Sequence, residues 1–238
     1  MAVMPSNVRI REVGPRDGFQ NEPETIASAD KVRLIDLLSA TGVGRIEVTS
    51  FVRPDVIPQL SDAAEVLAAV QRREGVISTS FGCPYEGEVP PQRVFAIAER
   101  LIAAGCDEVA FGDTTGMANP RQVREFFAAA RERLTGVELT AHFHNTRGQG
   151  LANVLAALEE GVESFESSFG ELGGCPVPPG STGNVGSEDV VSMLHEMGVG
   201  TGIDLPRLIE ASRAAQELLG RPLGAHVLRA GPVDWHRG

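Results

Sequence analysis

Short apolar-rich runs of strand type alternate along the chain with longer segments in which apolar residues recur at helical spacing. The strand-type runs begin near Val8 (VRIREV), Arg45 (RIEVTSF), Val76 (VISTSF), Asp107 (DEVAFG), Val137 (VELTAHF) and Val162 (VESFESSF). Their starts lie about 30 residues apart, the length of one strand–loop–helix–loop unit. Helices are predicted over Ala29–Thr41, Ser61–Arg72, Pro91–Ala104, Pro120–Leu134, Gly148–Glu160 and Glu188–Met197, with a last one over Asp204–Leu219 and a mixed tail after it. Ser61-Asp62 and Asn119-Pro120 are capping starts, and Gly42, Gly105, Gly136, Gly161 and Gly198 sit at or just past helix ends.

Strict β-α alternation predicts a parallel sheet, either doubly wound or closed as a barrel. In both architectures chemistry gathers at the carboxyl ends of the strands. That is where this chain carries Arg16-Asp17, Thr49-Ser50, Asp113-Thr114, His142/His144 and Cys175. No G-x-G-x-x-G follows the first strand and no G-x-x-x-x-G-K-[ST] occurs, which disfavours dinucleotide and P-loop folds. The expectation is therefore an α/β fold of TIM type in a single domain over residues 1–238. A complete barrel has eight units, whereas six can be counted here, so the barrel is expected to be incomplete or distorted, with a C-terminal helix added.

Composition narrows the function classes. An apolar fraction of 42% among 238 residues supports a sizeable core and excludes general disorder. With 32 acidic against 21 basic side chains the net charge is −11, which argues against nucleic acid or an acidic membrane as partner. Cys83, Cys106 and Cys175 make an odd count without metal-type spacing, pointing to a reducing compartment. The first residues show neither a signal-peptide core nor an Arg/Ser-rich transit segment, so a cytoplasmic location is expected.

His142-Phe143-His144 is the sharpest chemical signal. Residues i and i+2 of a strand share a face, so both imidazoles can reach one point. Two neutral imidazoles with added oxygens suit a divalent first-row metal, or Mg²⁺ if oxygens dominate; the alternative is a solvent-facing edge strand. Asp17, in Gly14-Pro15-Arg16-Asp17-Gly18, reads as an ordinary turn residue or as a carboxylate ligand beside a guanidinium able to hold a substrate oxygen. Asp113 reads as a cap or as a general acid/base. Glu47 lies within an apolar strand pattern and needs a partner, for which Arg16 on the adjacent strand end is the natural choice. Cys175 sits in a Gly/Pro-rich loop, either a plain connection or a lid carrying a proton-donating thiol, and Asn184 can add an oxygen ligand.

Together these residues resemble the 3-hydroxy-3-methylglutaryl-coenzyme A (HMG-CoA) lyase family, metal-dependent lyases of the aldolase type. The stretches that carry the resemblance are EVGPRDGFQNE (12–22), IEVTSFVRPDVIPQ (46–59), FGCPYEGEV (81–89), GDTTG (112–116), HFHNTRGQGLAN (142–153) and LGGCP…GSTGN (172–184). The resemblance implies that Asp17, His142, His144 and Asn184 hold Mg²⁺ or Mn²⁺, and that Arg16 and Gln20 bind substrate. Arg16 would stabilise an enolate, with Glu47 orienting the site. Asp113 and His142 would move the hydroxyl proton, and Cys175 would protonate the enolate. The implied reaction cleaves HMG-CoA, a coenzyme A thioester, to acetyl-CoA and acetoacetate in leucine breakdown, and the implied assembly is a homodimer.

Three departures from the family pattern stand out. Asn145 and Val177 replace a usual Asp and Tyr, and the chain runs from Val70–Gly75 almost directly into Val76–Phe81, where family members carry two further βα units. An internal deletion near residues 71–76 would remove barrel wall while leaving every named ligand in place. Two other functions compete with HMG-CoA cleavage. One is a related lyase or aldolase acting on another 3-hydroxyacyl-CoA or a 2-oxo acid, and the other is an inactive shortened paralogue.

Overall fold

The computed structural model describes residues 4–22, 26–47, 74–103, 106, 108–174 and 183–235. The predicted helix Ser61–Arg72, Thr49, Ser50 and Cys175 lie outside the described residues. The strands are β1 (Arg9–Glu12), β2 (Arg45–Ile46), β3 (Glu74–Ile77), β4 (Glu108–Asp113), β5 (Glu138–Phe143) and β6 (Ser164–Ser167). They form one six-stranded sheet in the order β2-β1-β6-β5-β4-β3, with every ladder parallel. The described α-helices are α1 (Ser28–Ser39), α2 (Pro91–Ala103), α3 (Pro120–Arg133), α4 (Gly150–Glu159), α5 (Ser187–Glu196), α6 (Leu205–Leu219) and α7 (His226–Ala230).

The sheet is curled, not flat, as its ion pairs require. Arg45 of β2 reaches Glu108 of β4 at 3.2 Å, although β1, β6 and β5 lie between them. Four inter-strand spacings in a flat sheet would separate these strands by about 19 Å. Arg11 of β1 also pairs with Glu108, and Thr140 of β5 donates to the same carboxylate at 2.5 Å. The strands thus wrap around a shared lumen. β2 and β3 end the order, and no ladder joins them among the described residues. Among the described residues the sheet has the six strands that the unit count anticipates.

Period-2 alternation divides the strands between that lumen and the helix layer. Arg11, Arg45, Glu108, Thr140, His142 and Glu166 engage one another or the cavity at the lumen side. Ile10, Ile77, Val109, Phe111, Ala141, Phe143 and Phe165 belong to the hydrophobic core under the helices. Phe81, Phe95, Phe111, Phe126, Phe127 and Phe143 stack there with ring centroids 4.8–6.1 Å apart. The apolar stabilisation of this fold is therefore outside the barrel wall.

Local capping matches the sequence at α3, where the Asn119 side chain accepts from the Gln122 amide at 3.1 Å and Pro120 opens the helix. The tail departs from expectation by forming α7. Asp189 on α5 accepts from the His226 and Val227 amides at 2.9 and 2.7 Å, so this short helix is capped from a distant element. Among the described residues no helix is long and apolar enough to cross a membrane.

Candidate active site

At the carboxyl end of β1 the chain folds into a tight π-helical turn, Gly14–Gly18, in which the Arg16 and Asp17 amides both donate to Val13 O, at 3.0 and 2.7 Å. The turn lifts Arg16 and Asp17 to the barrel mouth. On the far wall, His142 is the penultimate residue of β5, on the lumen side, and His144 follows the strand on the same face, with their Nε2 atoms 3.0 Å apart. Residues 183–185 run antiparallel beside 143–145, with Asn145 N bonded to Gly183 O and Val185 N to Phe143 O, both at 3.0 Å. This places Asn184 opposite His144. Its Nδ2 donates to Asp17 Oδ2 at 2.7 Å and to Leu172 O at 3.0 Å, whereas its Oδ1 is buried without a partner.

Asp17, His142 and His144 are buried and bring one ligand atom each to within 4.8 Å of one another. The orphaned Asn184 oxygen adds a fourth potential donor beside them. Two imidazoles, one carboxylate and one amide oxygen fit a hard-to-borderline divalent cation. The backbone is shaped around this centre. A Cβ on Gly173 would lie 2.5 Å from Asn184 Nδ2 and 2.8 Å from Asp17 Oδ2, and the residue has φ +100°. Only glycine combines that approach with that conformation.

Arg16 donates to Asp17 Oδ1 at 2.9 Å and to Glu47 at 2.7 Å, the partner expected for Glu47. Its Nε has no partner, in a side chain that lines the cavity. Burial alone would lower the Arg16 pKa, but Glu47 and Asp17 outweigh it and hold it above the ordinary value. Burial likewise pushes the Glu47 carboxyl up, against the pull of Arg16. Gln20 also lines the cavity, with its amide nitrogen committed to Asp17 Oδ1 at 2.7 Å.

The cavity has a volume of about 230 Å³, and Gly174, Ser78, Gly112 and Thr114 line it beside the residues above. Asp113 lies in the strand between Gly112 and Thr114 but is not among the lining residues. Its Oδ1 accepts from the Met117 and Ala118 amides at 2.7 and 3.1 Å, and its Oδ2 is buried without a partner. Burial pushes its carboxyl up to about 6.

Glu166 was not singled out by the sequence, yet its Oε2 lies 2.7 Å from His142 Nδ1, and it lines the cavity. Burial would raise its pKa, but the His142 contact and the charges of Arg16 and Arg11 bring it below the ordinary range. An ionised Glu166 keeps the proton on Nδ1 and leaves Nε2 free as a ligand atom. The rule that flagged Glu47, a carboxylate inside a buried strand pattern, applies equally to VESFESSF. Asn145, one of the departures from the family pattern, donates to Glu171 at 2.6 Å and accepts from Gly150 N at 3.1 Å, away from the metal ligands.

The HMGL-like family model matches residues 53–214. The chain is 36% identical over 291 aligned positions to a hydroxymethylglutaryl-CoA lyase of Bacillus subtilis, covering 94% of this chain and 97% of that protein. It is equally 36% identical to an (R)-citramalyl-CoA lyase of Chloroflexus aurantiacus, covering 95% of each. The structure of an HMG-CoA lyase from Acinetobacter baumannii, in complex with coenzyme A and 3-methylmalate, superposes with a TM-score of 0.90 at 34% identity, covering 98% of this chain and 97% of that one. Sequence and fold agree: this chain belongs to the HMGL-like family of carbon–carbon lyases.

Proposed function

We infer that the protein cleaves the C2–C3 bond of HMG-CoA, releasing acetyl-CoA and acetoacetate, at a divalent metal centre formed by Asp17, His142, His144 and Asn184. The observation that carries this reading is the convergence of the buried Asp17/His142/His144 triad with the orphaned Asn184 oxygen beside Arg16. A bound Mg²⁺ or Mn²⁺ supplies Lewis acidity that lowers the barrier to ionising the tertiary hydroxyl.

The chain's own residues then perform the remaining work. Asp113, whose buried Oδ2 has no partner one residue from the cavity-lining Gly112 and Thr114, is the acceptor of the hydroxyl proton, with His142 as a ligand close to that hydroxyl; the C2–C3 bond breaks, and its electron pair passes into the thioester enolate. The Arg16 guanidinium stabilises the enolate oxygen, while Glu47 fixes its orientation. Cys175 gives a proton to C2, and the hydroxyl proton held by Asp113 returns to the resulting thiolate, so the step is redox-neutral and the protons balance. Gln20 and Asn184 hold Asp17 in its orientation.

The barrel wall between β2 and β3 is read as two units short of eight. The alignment of 291 positions, longer than the 238-residue chain, supports this. A second substrate, (R)-citramalyl-CoA, is favoured by a relative of equal identity that carries that name.

The test is a substrate panel with purified protein and Mg²⁺ or Mn²⁺. Acetoacetate is expected from HMG-CoA, with Asp17→Ala and Cys175→Ala each about 10²–10⁴-fold slower. Turnover of (R)-citramalyl-CoA alone would move the assignment to that substrate. Folded protein with no metal-dependent turnover of either would overturn it.

A further inference from the structure

Glu12 belongs to β1, but its side chain enters the layer between sheet and helices, where it is 1% exposed. Its carboxyl meets three segments of the chain. Oε1 accepts from the Gly14 amide at 2.7 Å and from the Phe169 amide at 3.0 Å. Oε2 accepts from the Phe169 amide at 3.0 Å and from the Ser187 hydroxyl at 2.6 Å. Each contact lies at the root of one part of the site. Gly14 opens the turn that presents Arg16 and Asp17, Phe169 precedes the Gly173-Gly174 approach to the cavity, and Ser187 follows Asn184 into α5.

We propose that Glu12 is a positioning residue of the metal centre, a single buried carboxyl that fixes how the segments carrying Asp17, Gly174 and Asn184 stand relative to one another. The proposal rests on the metal reading given above and extends it to a residue that touches neither metal ligand nor cavity.

A second buried carboxyl repeats the arrangement one residue along. The Gly170 amide donates to both Glu188 oxygens, at 3.0 and 2.9 Å. Consecutive amides of the Phe169–Glu171 turn therefore each end on a buried glutamate. The turn has little freedom otherwise to hold its shape, since Gly170 and Glu171 both take positive φ, +64° and +59°. The approach is closed on the Gly14 side too. A Cβ there would lie 2.6 Å from the Phe169 ring and 2.8 Å from Glu12 Oε1.

Burial pushes the Glu12 carboxyl up to about 8, so it is mostly uncharged in neutral solution. Ser187 also pairs with Ser167 at 2.8 Å, which lets its hydroxyl serve either protonation state of Glu12. A carboxamide can keep one contact to each partner, with its oxygen accepting from the Gly14 and Phe169 amides and its nitrogen donating to Ser187, giving up only the second Phe169 contact. A side chain one methylene shorter cannot span all three partners.

The test compares Glu12→Gln, Glu12→Asp and Glu12→Ala in the full chain, by Mn²⁺ titration calorimetry and by hydrogen exchange without metal. Leu194→Ala, a core truncation in α5, is the control for general destabilisation. Glu12→Gln is expected to hold Mn²⁺ as the unaltered protein does, while Glu12→Asp and Glu12→Ala weaken it by about 10–100-fold. Exchange over 14–18 and 169–174 should accelerate about tenfold or more in the Asp and Ala variants and stay unchanged in Gln and in Leu194→Ala. Should Glu12→Ala fail to fold, Glu12→Asp against Glu12→Gln carries the comparison. Unchanged Mn²⁺ affinity in the Asp and Ala variants, or a loss matched by Leu194→Ala, overturns the proposal. If the unaltered protein takes up no Mn²⁺, the metal reading fails, and the exchange pattern alone decides the role of Glu12.

Discussion

Replacing Glu166 by Gln tests whether the metal centre depends on a residue outside its ligand set. Glu166 is 5% exposed and its Oε2 lies 2.7 Å from His142 Nδ1. The carboxylate can only accept, so it fixes the tautomer with hydrogen on Nδ1 and the lone pair on Nε2, the atom that faces His144. A carboxamide can donate as well as accept. It therefore permits the opposite tautomer, in which Nε2 carries hydrogen and cannot bind a cation. Losing such an outer partner typically weakens metal binding about 10–100-fold, or ~1.4–2.7 kcal/mol. Glu166→Ala removes the acceptor altogether and leaves a buried ring N–H unpaired, a further ~1–3 kcal/mol. Mn²⁺ titration calorimetry at fixed pH, with a thermal melt of each variant, reads both effects. An affinity within about twofold of the unaltered protein in a folded Glu166→Gln variant would refute the reasoning, because that is well below the effect of a lost outer partner.

Two further outcomes are expected. Burial raises Glu12 from 4.5 to about 8 and Glu188 from 4.5 to about 7, so the folded state keeps both protons after the unfolded chain has lost them. Their contribution to stability is complete below pH 4.5 and is lost as pH rises to 8, by ~5 kcal/mol for Glu12 and ~3 kcal/mol for Glu188. Urea midpoints should fall between pH 5 and 9, and Glu12→Gln should flatten the decline above pH 7; a midpoint that climbs over this range contradicts the assignment. Gly173→Ala should lose Mn²⁺ affinity by tenfold or more with a small change in melting temperature, because its φ and its contacts with Asn184 and Asp17 forbid a Cβ. Equal affinities would show that the loop relaxes without cost.

Local periodicity carried much of this structure. Alternation through VELTAHF and on to His144 puts both imidazoles on one face, and the need of a carboxylate in an apolar strand pattern for a partner links Glu47 to Arg16. Six strand-type runs can be counted in the sequence, and the sheet has six strands among the described residues. Other features depend on pairs too distant in sequence for any period to reveal. Glu12 is satisfied by an amide 157 positions away, and α7 owes its start to Asp189 on another helix. Asp113 shows a related limit. Its place after a strand suggested a mouth-facing acid, but the tight turn beyond it claims one oxygen for the Met117 and Ala118 amides.

The lumen filled with arginine, glutamate and histidine also bears on how such a wall can change length. The apolar faces of the strands join one continuous core under the helices, and the lumen side is lined by paired charges. Subtracting a strand and its helix from such a wall disturbs both the shared packing, as where Phe126 touches Phe81, Phe95 and Phe111, and the charge balance inside. Arg45 meeting Glu108 across the lumen shows that balance kept between strands that are not neighbours in the sheet. The chemistry at the rim stands on the strand ends and the turns beyond them, so the wall and the site answer to different residues.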